Sequence, residues 1–202
     1  MRITVDDPYP ARKAVNLAVD VLKKGGVIIY PTDTTYGIGC DLFNKEAIER
    51  VYRIKRMTRH KPLSFICADL KDISRYAQVS NYSYQVMRRL LPGPYTFILS
   101  ATKMVPRLMI TKRKTVGIRV PDNPICLEIV EALGNPIITT SANFEDEEVV
   151  TDPEEIETTF GSDVDLFIDC GYLPPHLSSI IDLIDDNPVV VREGVGDTAM
   201  FR

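Results

Sequence analysis

The side chains best placed to do chemistry in this 202-residue chain are hydroxyls and cations, not paired nucleophiles and bases. Pro31-Thr32-Asp33-Thr34-Thr35-Tyr36-Gly37-Ile38-Gly39 follows the apolar run Val27-Ile28-Ile29-Tyr30 directly. At the carboxyl end of a strand such a loop offers hydroxyl donors and a backbone that a ligand can approach closely; a plain polar turn has the same composition. Lys55-Arg56-Met57-Thr58-Arg59-His60-Lys61-Pro62-Leu63 gathers five potential cations in seven residues, more than is needed to offset the negative pole of a helix. Thr139-Thr140-Ser141-Ala142-Asn143 ends another apolar run in small hydrogen-bonding side chains, which also suit a helix N-cap. Lys114-Thr115-Val116-Gly117-Ile118-Arg119 and Val191-Arg192-Glu193-Gly194 each set one arginine at a strand's end; single arginines most often form surface salt bridges. Together these groups suit the binding and positioning of an anion.

Other chemistries find little support. The four cysteines, at 40, 67, 126 and 170, form no CxxC, and His60 and His176 are the only histidines, so no zinc site, disulfide framework or other metal-ligating set is predicted. His-x-x-x-His, GxxxxGK[ST] and GxSxG are all missing. The formal net charge of −4 conceals a division along the chain. Lys45 to Lys61 holds seven Lys and Arg against Glu46 and Glu49, a local +5, and Lys103 to Arg119 holds six without an acid. Eight acids between Glu145 and Glu157, with no basic residue among them, offset most of that charge. Solvated helix faces account for such runs; so does an anionic ligand such as nucleotide or RNA.

The elements that must position these groups alternate between two hydrophobic periods. Ala14, Val15, Ala18, Val19 and Leu22 form a helical stripe closed by Gly25-Gly26, and Val27 to Tyr30 reads as a buried strand. After the loop Pro31 to Phe43, Asn44 caps a helix with Ala47, Ile48, Val51 and Ile54 inward, and Leu63 to Cys67 is the next strand. Helices are predicted over 70–76, 82–91, 121–133 and 153–160, the last behind an Asp152 cap. Strands are predicted over 95–100, 115–120, 136–140, 164–169, 180–184 and 189–192. Interleaved helices and strands define an α/β sheet. The last three strands lack helical spacers, which predicts some antiparallel pairing and a mixed sheet. With 45% hydrophobic residues and no repeat or linker, one domain over 1–202 is expected. No apolar run nears the ~18 residues of a spanning helix, and the N-terminus reaches Asp6-Asp7 before any apolar core. A cytoplasmic protein without membrane contact is therefore expected.

In order and spacing, the Pro31 to Gly39 loop, the Lys55 to Leu63 run, Pro92-Gly93-Pro94-Tyr95-Thr96, Thr115 to Pro121, Ser141-Ala142-Asn143 and Ser178-Ser179-Ile180-Ile181-Asp182 resemble the YrdC/YciO family. The resemblance covers about residues 11–194 and implies a twisted open mixed sheet with flanking helices around a cationic cavity. Members of that family are threonylcarbamoyl-AMP synthases, which condense L-threonine, bicarbonate and ATP for the N6-threonylcarbamoyladenosine modification of tRNA. By motif, Thr34, Arg119, Thr139 and Ser178 resemble threonine-binding positions, and Lys55, Arg59, Lys61, Thr115, Ser141, Asn143 and Arg192 resemble ATP- or anion-binding ones. Lys55, Ser141 and Asn143 carry the implied catalytic roles, and Mg2+ is expected to accompany the ATP.

Three departures point to the YciO branch. Met57 stands where synthases carry the arginine of Lys-x-Arg, Ser64-Phe65-Ile66 replaces an Ile-Val-His-like strand, and Arg192-Glu193-Gly194 replaces Arg-Pro-Gly. Arg56 and Arg59 are the candidates to substitute for that arginine, although a one-residue shift on a helix turns a side chain by about 100°. The alternative is a non-synthase protein that binds nucleotide, tRNA or double-stranded RNA through the same cavity.

Overall fold

A computed structural model describes residues 1–6, 11–58, 61–144 and 148–201. In chain order these form strands β1 (Arg2–Thr4), β2 (Ile28–Tyr30), β3 (Gly37–Gly39), β4 (Ser64–Ile66), β5 (Tyr95–Ser100), β6 (Thr115–Arg119), β7 (Ile137–Ser141), β8 (Leu166–Asp169), β9 (Ser179–Asp182) and β10 (Val189–Arg192). The α-helices are α1 (Arg12–Lys23), α2 (Lys45–Ile54), α3 (Leu70–Tyr76), α4 (Asn81–Leu90), α5 (Pro124–Leu133) and α6 (Pro153–Phe160). All ten strands join one open sheet in the order β1-β8-β2-β3-β7-β4-β6-β5-β9-β10. The sheet is mixed, as the sequence predicts: β9 runs parallel to β5 and antiparallel to β10, and β8 runs parallel to β1 and β2.

Cap chemistry places the helices. The side chains of Asn44, Asn123 and Asp152 accept the N–H groups of Ala47, Cys126 and Glu154 at the starts of α2, α5 and α6, satisfying donors that have no intrahelical partner. Gly134 ends α5 at φ 76°, a left-handed turn that glycine adopts without steric cost.

The helices cover the two faces of the sheet unequally, and this produces the cleft. On one face, α2, α3, α4 and α6 bury Ile29, Ile38, Phe65, Phe97, Val116, Ile118, Ile138 and Phe167. On the other face α1 and α5 pack over Ile28, Tyr30, Ile66, Ile137, Leu166 and Ile168. Successive side chains of a strand alternate between faces, so Ser64 shares the α1/α5 face with Ile66, and Thr139 and Ser141 share it with Ile137. Each of these strands is thus apolar where α1 and α5 cover it and hydroxylated beyond them. Registers that pair Ser64 with both Gly117 and Thr139, and Thr96 with Ile180, continue this polar strip across β7, β4, β6, β5 and β9.

The structure corrects one reading of the sequence. Gly37–Gly39, expected within a continuous loop, is strand β3, antiparallel to both β2 and β7. Its glycines serve packing as well as ligand access: a Cβ at Gly37 would meet the Tyr30 ring at 3.1 Å, and one at Gly39 would lie 1.9 Å from the Ile138 carbonyl oxygen. Three-residue β1 carries too little pattern to be read from sequence. Gly39→Ala is expected to destabilise the fold by about 3 kcal/mol, at the upper end for overpacking, because the obstructing atom is backbone. Denaturant unfolding measures this, and a loss below about 1 kcal/mol contradicts the close approach.

Candidate functional site

The polar strip floors a cleft of about 180 Å3, lined by Thr32, Thr34, Thr35, Tyr36 and Gly37, by Pro62, Leu63 and Ser64, by Thr96, Arg119, Thr139, Thr140 and Ser141, and by Leu177, Ser178, Ile180 and Arg192. It lies below the ~300–1,000 Å3 typical of pockets that enclose drug-sized ligands. Its enclosed part therefore suits a small polar ligand of amino-acid size. Gly117 keeps the floor open, since a Cβ there would lie 2.5 Å from Ser64 Oγ and 3.3 Å from Thr96 Cγ2.

Arg119, at the end of β6, supplies the innermost charge. Its Nη2 donates to Asp33 Oδ1 at 2.7 Å and to Thr34 Oγ1 at 3.2 Å, and the side chains of Arg119 and Asp33 are 9% and 8% exposed. Asp33 Oδ2 also accepts the N–H of Asp122, so one carboxylate joins the β2–β3 loop to the segment between β6 and α5. Thr32 organises the rest of the loop: its hydroxyl donates to Thr35 O at 2.6 Å and accepts the N–H groups of Thr34 and Thr35. Opposite, Arg192 donates through Nε and Nη2 to Ser178 O at 3.1 and 2.8 Å, and through Nη2 to Ser178 Oγ. Thr96 Oγ1 meets the same Ser178 hydroxyl at 2.8 Å. Burial, then the positive charge of Arg119, lowers the pKa of Arg192, although a guanidinium stays protonated in a protein. Two guanidiniums against one carboxylate leave the cleft one positive charge, arranged to receive an anionic group.

Lys55, at the C-cap of α2, is buried and directed elsewhere. Its ammonium donates to Ser141 O at 2.6 Å, to Asn143 O, and to Asn143 Oδ1 at 3.5 Å, and Ser141 Oγ donates to Asn143 Oδ1 at 2.5 Å. The cation thus pins the Ser141-Ala142-Asn143 turn from behind. Beyond it, the N–H of Arg56 meets Arg53 O and the N–H of Met57 meets Tyr52 O, both at 3.0 Å, with Arg56 at φ 51°. This is a Schellman motif, in which the residue two beyond the cap makes an apolar contact. Met57 fills that role, partly buried against the core under α2 and outside the cleft. Arg56 accepts a left-handed conformation that costs a non-glycine residue roughly 1–2 kcal/mol, and its guanidinium lies over the Phe144 ring, 4.3 Å from the centroid.

Of the residues singled out in the sequence, Thr34, Arg119, Thr139, Ser141, Ser178 and Arg192 converge on the cleft. Lys55 and Asn143 stand behind Ser141. Thr115 begins β6, where Thr111 Oγ1 lies 2.7 Å from its hydroxyl, on the Arg119 face of the sheet but some 13 Å up the strand at ~3.3 Å per residue. Lys61 is exposed beside Pro62, which lines the cleft. Arg59 lies outside the described residues. The cationic run of 45–61 does not converge as a block, since Arg50 binds Asp165 at 2.5 Å and Lys55 is internal. Asp33, Thr35, Ser64 and Thr96 lie within motifs read from the sequence but carry no individual role there; a hydroxyl at alternate positions within an apolar strand, as in Ser64-Phe65-Ile66 and Tyr95-Thr96-Phe97, is the signal that finds the last two.

The site is thus a hydroxyl-lined cleft with two arginines, on the half-covered face of an open mixed α/β sheet. Residues 20–194 match the Sua5/YciO/YrdC family, described as "Telomere recombination", and the chain belongs to that family. It is 46% identical to the uncharacterised protein YciO of Escherichia coli K12 over 95% of this chain and 94% of YciO. The crystal structure of E. coli YciO superposes with a TM-score of 0.92 at 45% identity, covering 100% of this chain and 98% of that one. A putative threonylcarbamoyl-AMP synthase of Methanocaldococcus jannaschii is 36% identical over 91% of this chain and 87% of its own. The P. abyssi Sua5 structure complexed with L-threonine has a TM-score of 0.87 at 26% identity, over 96% of this chain and 57% of that one.

Lys55→Met is expected to cost about 2–3 kcal/mol, because it strands carbonyls that a charged donor satisfied. Met57→Leu is expected to be nearly silent, and Met57→Arg to destabilise by about 1–2 kcal/mol without improving any nucleotide-dependent activity. Denaturant unfolding and a turnover assay read these out; a gain in turnover from Met57→Arg places position 57 at the phosphates after all.

Proposed function

We propose that the chain condenses L-threonine, bicarbonate and ATP into threonylcarbamoyl-AMP, the activated intermediate for N6-threonylcarbamoyladenosine in tRNA. The observation that carries the reading is the amino-acid-sized cleft with Arg119 and Arg192 at its walls, on a fold whose relatives include synthases and a threonine complex. In this reading Arg119 receives the threonine carboxylate, with Thr34, Thr139 and Ser178 around the remainder. The nucleotide lies along β6 from Gly117 toward Thr115, with Arg192, Ser141 and Lys61 beside its phosphates. The threonine amine adds to the carbon of CO2 derived from bicarbonate and loses a proton. A carbamate oxygen then attacks the α-phosphorus, and pyrophosphate leaves with the electrons of the broken P–O bond. No side-chain nucleophile is required; the protein supplies positioning and cations for the developing charge.

Mg2+ accompanies the ATP in this reading. The described residues hold no group of three or more carboxylates, thiols or imidazoles suited to ligate it, so its ligands are assigned to phosphate oxygens and water. Among the described residues no helix is long and apolar enough to cross a membrane. In this reading the reaction takes place in the cytoplasm, beside its tRNA acceptor. A second reading is a non-synthase protein that binds nucleotide or double-stranded RNA. It draws on the engagement of Lys55 with Ser141 and Asn143 and on the uncharged Met57.

Incubation with ATP, L-threonine and labelled bicarbonate is expected to place label in an adenylate, and L-threonine to raise the melting temperature through linkage. Arg119→Ala is expected to weaken threonine binding roughly 10- to 100-fold, the equivalent of about 1.5–3 kcal/mol for a charged hydrogen bond. Stabilisation by ATP alone, with no label in any adenylate at saturation, overturns the synthase reading in favour of the second. RNA affinity falling steeply with salt identifies an RNA ligand.

A further inference from the structure

The cleft's own hydrogen bonds leave two buried donors unused. Among the described residues, the buried side-chain nitrogen and oxygen atoms without a partner are Thr35 Oγ1, Arg119 Nε and Glu157 Oε2. Thr35 and Arg119 both line the cleft, whereas Glu157 lies on α6. Thr35 is 4% exposed. Its conformation is set by a neighbour: the single hydroxyl of Thr32 accepts the Thr35 N–H at 3.3 Å and donates to the Thr35 carbonyl at 2.6 Å. The backbone of Thr35 is thus held from both ends while its hydroxyl takes no part in the loop. A buried polar group left unpaired is a cost that folding alone does not recover, and such groups in native proteins call for a specific explanation.

We infer that Thr35 is a ligand-binding residue whose hydroxyl hydrogen-bonds an oxygen of the bound amino acid, while Arg119 Nε engages that ligand's carboxylate. The inference rests on the amino-acid reading of the cleft and adds to it a contact distinct from Thr34. The two neighbours divide the work. Thr34 Oγ1 accepts from Arg119 Nη2 and so belongs to the frame of the guanidinium, whereas Thr35 presents an uncommitted hydroxyl. That hydroxyl both donates and accepts, so it can pair with a carboxylate or an alcohol oxygen.

A hydroxyl kept for a ligand and one kept for the fold respond oppositely to deletion. In the full chain, Thr35→Val keeps the side-chain shape without the hydroxyl. The ligand-free melting temperature is expected to equal or exceed that of the wild type, while affinity for L-threonine, read from its melting shift or by calorimetry, falls about tenfold. Thr35→Ser is expected to restore most of the affinity. A ligand-free melting temperature below the wild type's overturns the inference, because the hydroxyl then serves the fold. Unchanged threonine affinity in the Val variant, or a loss that Ser does not rescue, overturns it too. A wild-type protein that shows no threonine-dependent shift overturns the underlying amino-acid reading instead, so the two failures are distinguishable.

Discussion

The buried pair between Arg119 and Asp33 is the interaction around which the site is organised. A guanidinium under a mixed sheet is tolerated only if opposite charge and acceptors surround it, and one loop supplies them while a second segment holds that loop in place. Asp33 comes from the loop after β2, Thr34 from the same loop, and the Asp122 N–H ties the carboxylate to the segment after β6. Thr32 then fixes Thr35 in place. Within Pro31-Thr32-Asp33-Thr34-Thr35, Asp33 and Thr34 therefore solvate one arginine and Thr32 holds the loop backbone. That shell leaves over Arg119 Nε and the Thr35 hydroxyl, both buried without a partner.

A second cation acts structurally. Lys55 converts the end of α2 into a clamp on the Ser141-Ala142-Asn143 turn, which closes the cleft at the end of β7. The Schellman turn that follows places Arg56 over Phe144 and returns Met57 to the core. The missing arginine at position 57 therefore changes the meaning of the motif at its third residue, where an apolar contact with the core replaces a charge. Two functions of one short segment, holding a turn and presenting cations, are divided between side chains that leave the helix in different directions.

Much of the fold is legible without coordinates. The apolar stripe of α1, the caps Asn44 and Asp152, and the strands at 95–100 and 189–192 lie where periodicity and turn chemistry put them. These are local signals, carried within one turn of helix or a few residues of strand. Strand β3 was hidden because its residues look like a ligand loop; its glycines answer to the Tyr30 ring and the Ile138 carbonyl, contacts made by another part of the chain. The same holds for the site. Thr34, Arg119, Thr139, Ser141, Ser178 and Arg192 are recognisable by motif, yet Asp33, Ser64 and Thr96 gain their meaning from strands that meet only in the sheet.

The sequence by itself determined the α/β alternation, the hydroxyl-rich loop after β2 and the arginines at the ends of β6 and β10, because residue type and spacing carry those features. Which cations line the cleft was decided by the tertiary structure. Seven basic residues between 45 and 61 look like one patch along the chain, but Arg50 turns to Asp165, Lys55 turns inward to backbone carbonyls and Arg56 stacks on Phe144. Among the described residues, the cations that line the cleft are instead Arg119 and Arg192. A chain's charge pattern is one-dimensional, whereas the direction of a side chain is set by helix end, strand parity and the partners that packing brings within reach.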